Sequence, residues 1–336
     1  MTRSFPQILT RRTLGLGLLA AALLAGAAAP SFSEAPNWTQ VAGEGAPAAR
    51  HESAAAALDG RIYIIGGRGE RPLDIYDSKT GKWTKGAQPP FEMNHMQAVA
   101  HEGKIYIIGA LKGPFPEEQI VPRVQVYDPQ VNQWSEGAEI PADRRRGGAG
   151  LVVHNGLFYL IGGNARGHNS GFVAWTDSFN PATGEWKALA DAPRPRDHFH
   201  AAVLDGKIYA AGGRRSAFDA GKPMELTITE MDVYDIASNS WTTAAAPLPT
   251  PRAGSSAVVR GGKIVVMGGE SGRQVAGHAE VEAFDPKTGA WTALPPLPVG
   301  RHGFQAVDIK GNIHVIAGSG NRGGGPELAD HWALNR

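Results

Sequence analysis

Glu52, His95 and His198 each stand two residues after the start of a repeated segment, and Arg68, Asn164, Arg214 and Glu270 each follow the glycine pair that closes one. Gly148, Gly254 and Gly303 fill the first of these positions in the other three segments, and Leu111 and Ser319 fill the second in the other two. A carboxylate beside an imidazole can pass a proton, and a guanidinium can hold a carboxylate through parallel hydrogen bonds. Glu270 and His198 are therefore the candidate acid–base groups, with Arg214 or Arg273 available to bind an anion. Long stretches after the glycine pairs add Trp175, which is out of step with the repeat, together with Phe115, Phe172, Phe218 and Arg322. Cations, carboxylates and a few aromatics on one rim are the make-up of a pocket for a polar ligand. The expected binding residues are Glu52, Arg68, His95, Asn164, Trp175, His200, Arg214 and Arg273.

The His198-x-His200 pair has a second reading, because residues two apart on a strand face the same side and could both address an ion. No third ligand is set by spacing and the chain has no Cys, so a structural or general polar use is favoured. The reading names no metal and no cofactor. Nucleophile elbow, phosphate loop, dinucleotide fingerprint and metalloprotease motif are all absent from the sequence in a usable context.

The elements that must position these residues follow from the repeat. Each segment opens at Arg50, Met93, Arg146, Arg196, Arg252 or Arg301 and turns at Gly60, Gly103, Gly156, Gly206, Gly262 or Gly311. It closes at a glycine pair such as Gly66-Gly67, which degenerates to Gly109-Ala110 and Ala317-Gly318. Runs such as Ile62-Tyr63-Ile64-Ile65 mark a buried strand, and the Asp-Gly type of turn predicts a hairpin. A second block follows in which Tyr76, Tyr127, Phe179, Tyr234 and Phe284 precede Trp83, Trp134, Trp186, Trp241 and Trp291, with a turn-forming Gly or Asn two residues before each Trp. Four strands per segment result. Trp332 is expected at the aromatic position of a sixth block whose last strand is supplied by the segment around Trp38. The recurrent Trp residues and opening Arg residues are expected to be structural.

This pattern resembles the Kelch family over the stretch from about Trp38 to Trp332, on the Arg opening, the glycine pair, the Tyr-Asp pairs at 76–77, 127–128 and 234–235, and the late Trp. The resemblance implies an all-β fold, a six-bladed Kelch β-propeller over residues 36–336 closed by an N-terminal strand. It also implies a range of roles, including scaffolds, peptide binders, carbohydrate oxidases and sugar mutarotases. Copper chemistry of the galactose-oxidase type would need a Cys cross-linked to a Tyr, and this chain has no Cys. The expected function is binding of a carbohydrate or a protein segment, with a mutarotase similar to the N-acetylneuraminate epimerases as the alternative.

A formal net charge of +1, with no long charged run, argues against a nucleic-acid partner. Residues 1–29 carry Arg11-Arg12 followed by an uncharged Ala/Leu/Gly stretch, which reads as a twin-arginine export signal with cleavage at about 27–35. A periplasmic or secreted protein with no membrane contact after cleavage is expected. The partner is a small polar molecule such as a sugar, or a protein segment.

Overall fold

The computed structural model describes residues 36–335; the expected export signal lies outside them. Six four-stranded antiparallel sheets stand around one axis, with each sheet's first strand innermost. In the first blade Ser53–Leu58 pairs with Arg61–Gly66, then Asp74–Asp77, then Lys82–Lys85. Asp59 and Gly60 have φ of 50° and 75°, the left-handed pair that a two-residue hairpin needs. The other five blades repeat the order, as in Ala201–Leu204, Lys207–Ala210, Asp232–Asp235 and Ser240–Thr243 of the fourth.

Closure of the ring follows the expected plan. Trp38–Gln40 forms the outer strand of the sixth blade against His331–Leu334, with Trp38 opposite Leu334 and Gln40 opposite Trp332. The indole N–H of Trp38 donates to Pro295 O at 2.9 Å, which ties the closing strand to the fifth blade. The expected register is corrected by two residues. Leu334, not Trp332, faces Ile313 and Trp38 as Tyr76 faces Ile62 and Trp83 in the first blade. Trp332 instead donates its N–H to Asp330 Oδ2 at 2.7 Å. The recurrent Trp residues are half-buried on the outermost strands, and several reach across to the preceding blade, Trp134 to Ala87 O and Trp241 to Ala190 O, both at 2.9 Å.

The opening Arg residues are fully buried, each fixed to its own blade. Arg196 donates to Ala210 O at 2.8 Å, Gly212 O at 2.7 Å and Asp232 Oδ2 at 2.6 Å. Arg50 pairs with Asp74, Arg146 with Asp177, Arg252 with Glu282 and Arg301 with Asp330. A buried guanidinium needs such a partner, since an unpaired charge in the interior is costly. The second blade shows the rule by exception: Met93 replaces the cation and Gln125 stands at the acid's position, both buried. Neighbouring blades meet at the glycine pairs, where a Cβ on Gly66 would lie 2.1 Å from Met93 O.

Candidate functional site

The site grows from one backbone ring. Residues 52, 95, 148, 198, 254 and 303, one per blade, all have φ between 52° and 65°. Their backbones join blade to blade: His95 N–H donates to Glu52 O at 3.1 Å, Gly148 to His95 at 2.9 Å, His198 to Gly148 at 2.8 Å, Gly254 to His198 at 2.7 Å and Gly303 to Gly254 at 3.0 Å. Ser53 N–H completes the circle on Gly303 O at 3.1 Å. Left-handed backbone suits glycine and strains any residue with a Cβ. Three of the six blades use Gly here, while Glu52, His95 and His198 hold side chains at the axis in spite of that strain.

The neighbouring register adds a second tier. Beyond each hairpin, Asp197 bridges to Arg214, Ala253 to Glu270 and His302 to Ser319. The residues after the opening Arg and after the glycine pair therefore share one end of the ring. Above it lies a chamber of about 560 Å³ lined by His51, Glu52, Arg68, His95, Phe115, His168, Arg214, Met224 and Glu270 among others. Beneath it, an axial cavity of about 30 Å³ is lined by the ring residues together with His200.

Two charge networks meet at this chamber. In the first, His302 Nε2 lies 3.3 Å from Glu52 Oε1 and 3.4 Å from Glu270 Oε2, and Glu270 also pairs with Arg214. Burial works to raise the Glu270 carboxyl, but His302 and Arg214 outweigh it and bring it down to about 2. Glu52 is likewise raised by burial and more strongly lowered by His95 and His302, ending well below the usual carboxylate range. Burial would lower His302, yet Glu270 and Glu52 prevail and raise it, so the two carboxylates favour its charged form.

The second network holds His95, His168 and His198, with one ring nitrogen from each within 4.8 Å of the others. His168 Nε2 and His198 Nε2 are 2.9 Å apart, and His95 packs edge-on against both rings. His168 comes from the loop between Asn164–Arg166 and Ser170–Phe172 of the third blade, held by Glu118 from the second. Arg68 Nη2 donates to Glu118 Oε1 at 2.6 Å. Burial works to raise the Glu118 carboxyl, but His168 and Arg68 lower it to about 2. These three imidazoles are the only group of three or more His, Cys, Asp or Glu among the described residues placed to share a metal ion.

The structure brings Glu52, Arg68, His95, Arg214 and Glu270 to the chamber wall, with His198 in the ring below. It moves three expected residues away. Trp175 lies against the Arg144 and Arg146 guanidinium groups, 4.6 and 5.6 Å from its ring centre, and caps the outer part of the third blade. Arg273 is exposed and does not line the chamber, and its backbone N–H donates to Ser271 Oγ. Asn164 is buried behind the wall, where its Oδ1 accepts from Arg166 N at 3.0 Å. His200 does not share a centre with His198: its Nδ1 is 3.3 Å from Ser256 Oγ, and burial brings it down to about 4. The expected partnership of Arg214 with a ligand anion also changes, because Glu270 already occupies that guanidinium.

Sequence reasoning missed His302, Asp197, His168 and Glu118. His302 and Asp197 stand one residue after an opening Arg, so the same in-register search applied one position earlier finds them. His168 and Glu118 sit in loops of unequal length, where the repeat gives no register.

Six four-stranded blades around a polar axial chamber define a six-bladed β-propeller of the Kelch type. A family model described as the Attractin/LZTR1 beta-propeller matches residues 31–278. The chain belongs to the Kelch-repeat β-propeller family. It is 31% identical over 287 residues to Kelch-like protein terF of Aspergillus terreus, covering 81% of this chain and 61% of that protein. It is 26% identical over 258 residues to Kelch-like protein 25 of Xenopus tropicalis, covering 74% of this chain but 41% of that protein, so it spans less than two thirds of either relative. The solved structure of YjhT superposes with a TM-score of 0.73 at 19% identity, covering 88% of this chain and 96% of that one, a likeness of fold.

Proposed function

We propose that this protein is a binding module that takes a small polyhydroxylated ligand, of the carbohydrate class, in the axial chamber. The observation that carries the reading is the chemistry of one wall. Glu52 and Glu270 offer acceptors, Arg68 and Arg214 offer donors, and Phe115 and Met224 offer apolar surface on which a sugar ring can lie. A volume of about 560 Å³ lies within the roughly 300–1,000 Å³ of small-molecule sites. Phe115, 47% exposed and edge-on to Phe218, forms a lip at the mouth. A thermal-shift panel of neutral sugars, sialic acids and short peptides tests this. A sugar is expected to raise the melting temperature, with Phe115→Ala weakening the shift; a response to peptides alone would overturn it.

A second reading, sugar mutarotation, is supported by the placement of His302 between Glu52 and Glu270, which raise it. One carboxylate would take the proton of the anomeric hydroxyl while the imidazolium gives one to the ring oxygen. The C1–O5 bond then breaks and recloses on the opposite face, with the proton count restored. Exchange of anomers followed by NMR is expected to slow by at least about a hundredfold in Glu270→Gln, the lower end of what a general acid or base contributes. Unchanged exchange in that variant excludes the reading.

We infer also that the chain is exported, on the Arg11-Arg12 pair and the uncharged stretch after it. Among the described residues no helix is long and apolar enough to cross a membrane. Replacing Arg11 and Arg12 by Lys is expected to retain the protein in the cytoplasm, and unaltered export would point to another route.

A further inference from the structure

We propose that His95, His168 and His198 form a binding site for one divalent first-row transition metal, zinc by preference, in the floor of the axial chamber. Asn94 Nδ2 donates to Glu92 Oε1 at 2.7 Å, which turns Asn94 Oδ1 toward His95 Nδ1 at 2.6 Å. That nitrogen must therefore be the donor. Asp197 Oδ1 faces His198 Nδ1 at 2.5 Å, and the same carboxylate accepts from Ser216 N at 2.9 Å and Ser216 Oγ at 2.7 Å. Glu118 Oε1 lies 2.9 Å from His168 Nδ1, an ion-pair contact set off the line of a straight hydrogen bond. His95 and His198 thus hold an oxygen acceptor at Nδ1, which leaves Nε2 as their basic nitrogen, and His168 has the Glu118 carboxylate beside its Nδ1.

The ring nitrogens of the three then converge, one from each within 4.8 Å of the others. His168 Nε2 and His198 Nε2 stand 2.9 Å apart, and His95 Nε2 faces Glu52 Oε2 at 3.3 Å. Basic nitrogens so close together attract a cation, and the carboxylates of Glu52, Glu118 and Asp197 around the group favour one further. Three imidazole nitrogens bound at roughly 2.0–2.1 Å to a tetrahedral ion are spaced by about 3.4 Å, and here one pair is 2.9 Å apart with all three within 4.8 Å. Imidazole ligands suit zinc, iron, copper and nickel over magnesium or calcium. An oxygen partner on the far nitrogen of each histidine is the arrangement that orients metal ligands and increases their basicity. His200, with Ser256 as its neighbour, takes no part.

The site is tested without any sugar, so its failure and that of the binding-module reading are separate. The full-length protein, exported and stripped with a chelator, is titrated with Co(II) as a spectroscopic stand-in and then with Zn(II) by calorimetry. One equivalent of each is expected, with the intense visible bands of four-coordinate cobalt. His168→Ala, in a loop outside the blades, is expected to weaken zinc at least about a hundredfold while the melting curve of the metal-free protein stays in place. Asn94→Ala, which removes the partner of His95 Nδ1, is expected to cost about 10–100-fold. His200→Ala should bind as the parent does. Absence of stoichiometric uptake by the folded parent, or equal uptake by His168→Ala, would show that the three imidazoles share a proton instead and would overturn the proposal.

Discussion

The belt of opening arginines and the ring at the chamber floor lie two residues apart in the chain, yet they follow opposite rules. In the belt five blades use Arg with an acid, and the one blade that lacks the cation also lacks the acid, through Met93 and Gln125. Every charge there is matched inside its own blade. At residues 52, 95, 148, 198, 254 and 303 the backbone repeats in all six blades while the side chains do not. Three blades take the glycine that the left-handed conformation favours, and three carry Glu or His against a strain of about 1 kcal/mol each. A position repeated in type serves every blade alike. A position repeated only in backbone, with polar side chains in the first, second and fourth blades, serves something that lies on the axis.

Breaking the belt is expected to have the largest effect. Arg196→Ala would leave Asp232 buried with only Arg194 and Thr243 as side-chain partners and should lower stability by about 3–5 kcal/mol in urea unfolding. The paired change Arg196→Met with Asp232→Gln, which copies the second blade, should recover most of that loss. A single change as mild as the pair would mean that the belt is not a matched unit. Removing the chain up to Gln40 comes next. Loss of Trp38 burial and of the sixth blade's outer strand should cost roughly 3 kcal/mol, seen as an earlier thermal transition.

A smaller effect separates the regions by pH. Glu270 has a folded-state value of about 2 against an ordinary 4.5, so the unfolded chain binds the extra proton between those limits. Its contribution is complete above 4.5 and is lost as pH falls through about 2. Glu270→Gln should therefore flatten the fall in unfolding free energy between pH 5 and pH 3. An identical slope in the variant would mean that the carboxylate is not held by His302 and Arg214.

The same contrast explains what could be read from sequence. Blade number, hairpins, ring closure and the structural part of the arginines follow from residues fixed in type, because burial and backbone geometry impose the same demand six times. The sixth blade misleads at Trp332, since Leu334 fills the aromatic position and leaves the nearer Trp to suggest a register two residues off. At the chamber, Glu52, His95, His198, Arg214 and Glu270 are legible as departures from an aligned position. His168 and Glu118 are not, because their loops have no counterpart in length and they meet only through the ring's curvature. Trp175 and Arg273 show the converse error. A residue out of step with the repeat can as readily pack on the belt's Arg146, or extend into solvent, as face the axis.

The central claim is that the strained ring side chains are kept for what they hold on the axis and not for the stability of the fold. Its most direct test is the melting temperature of a variant carrying Glu52→Gly, His95→Gly and His198→Gly, in which all six blades have the residue that the backbone favours. The account predicts a melting temperature equal to or above that of the parent protein without ligand. A fall comparable with that of Arg196→Ala would contradict it, by placing the ring among the structural elements alongside the belt.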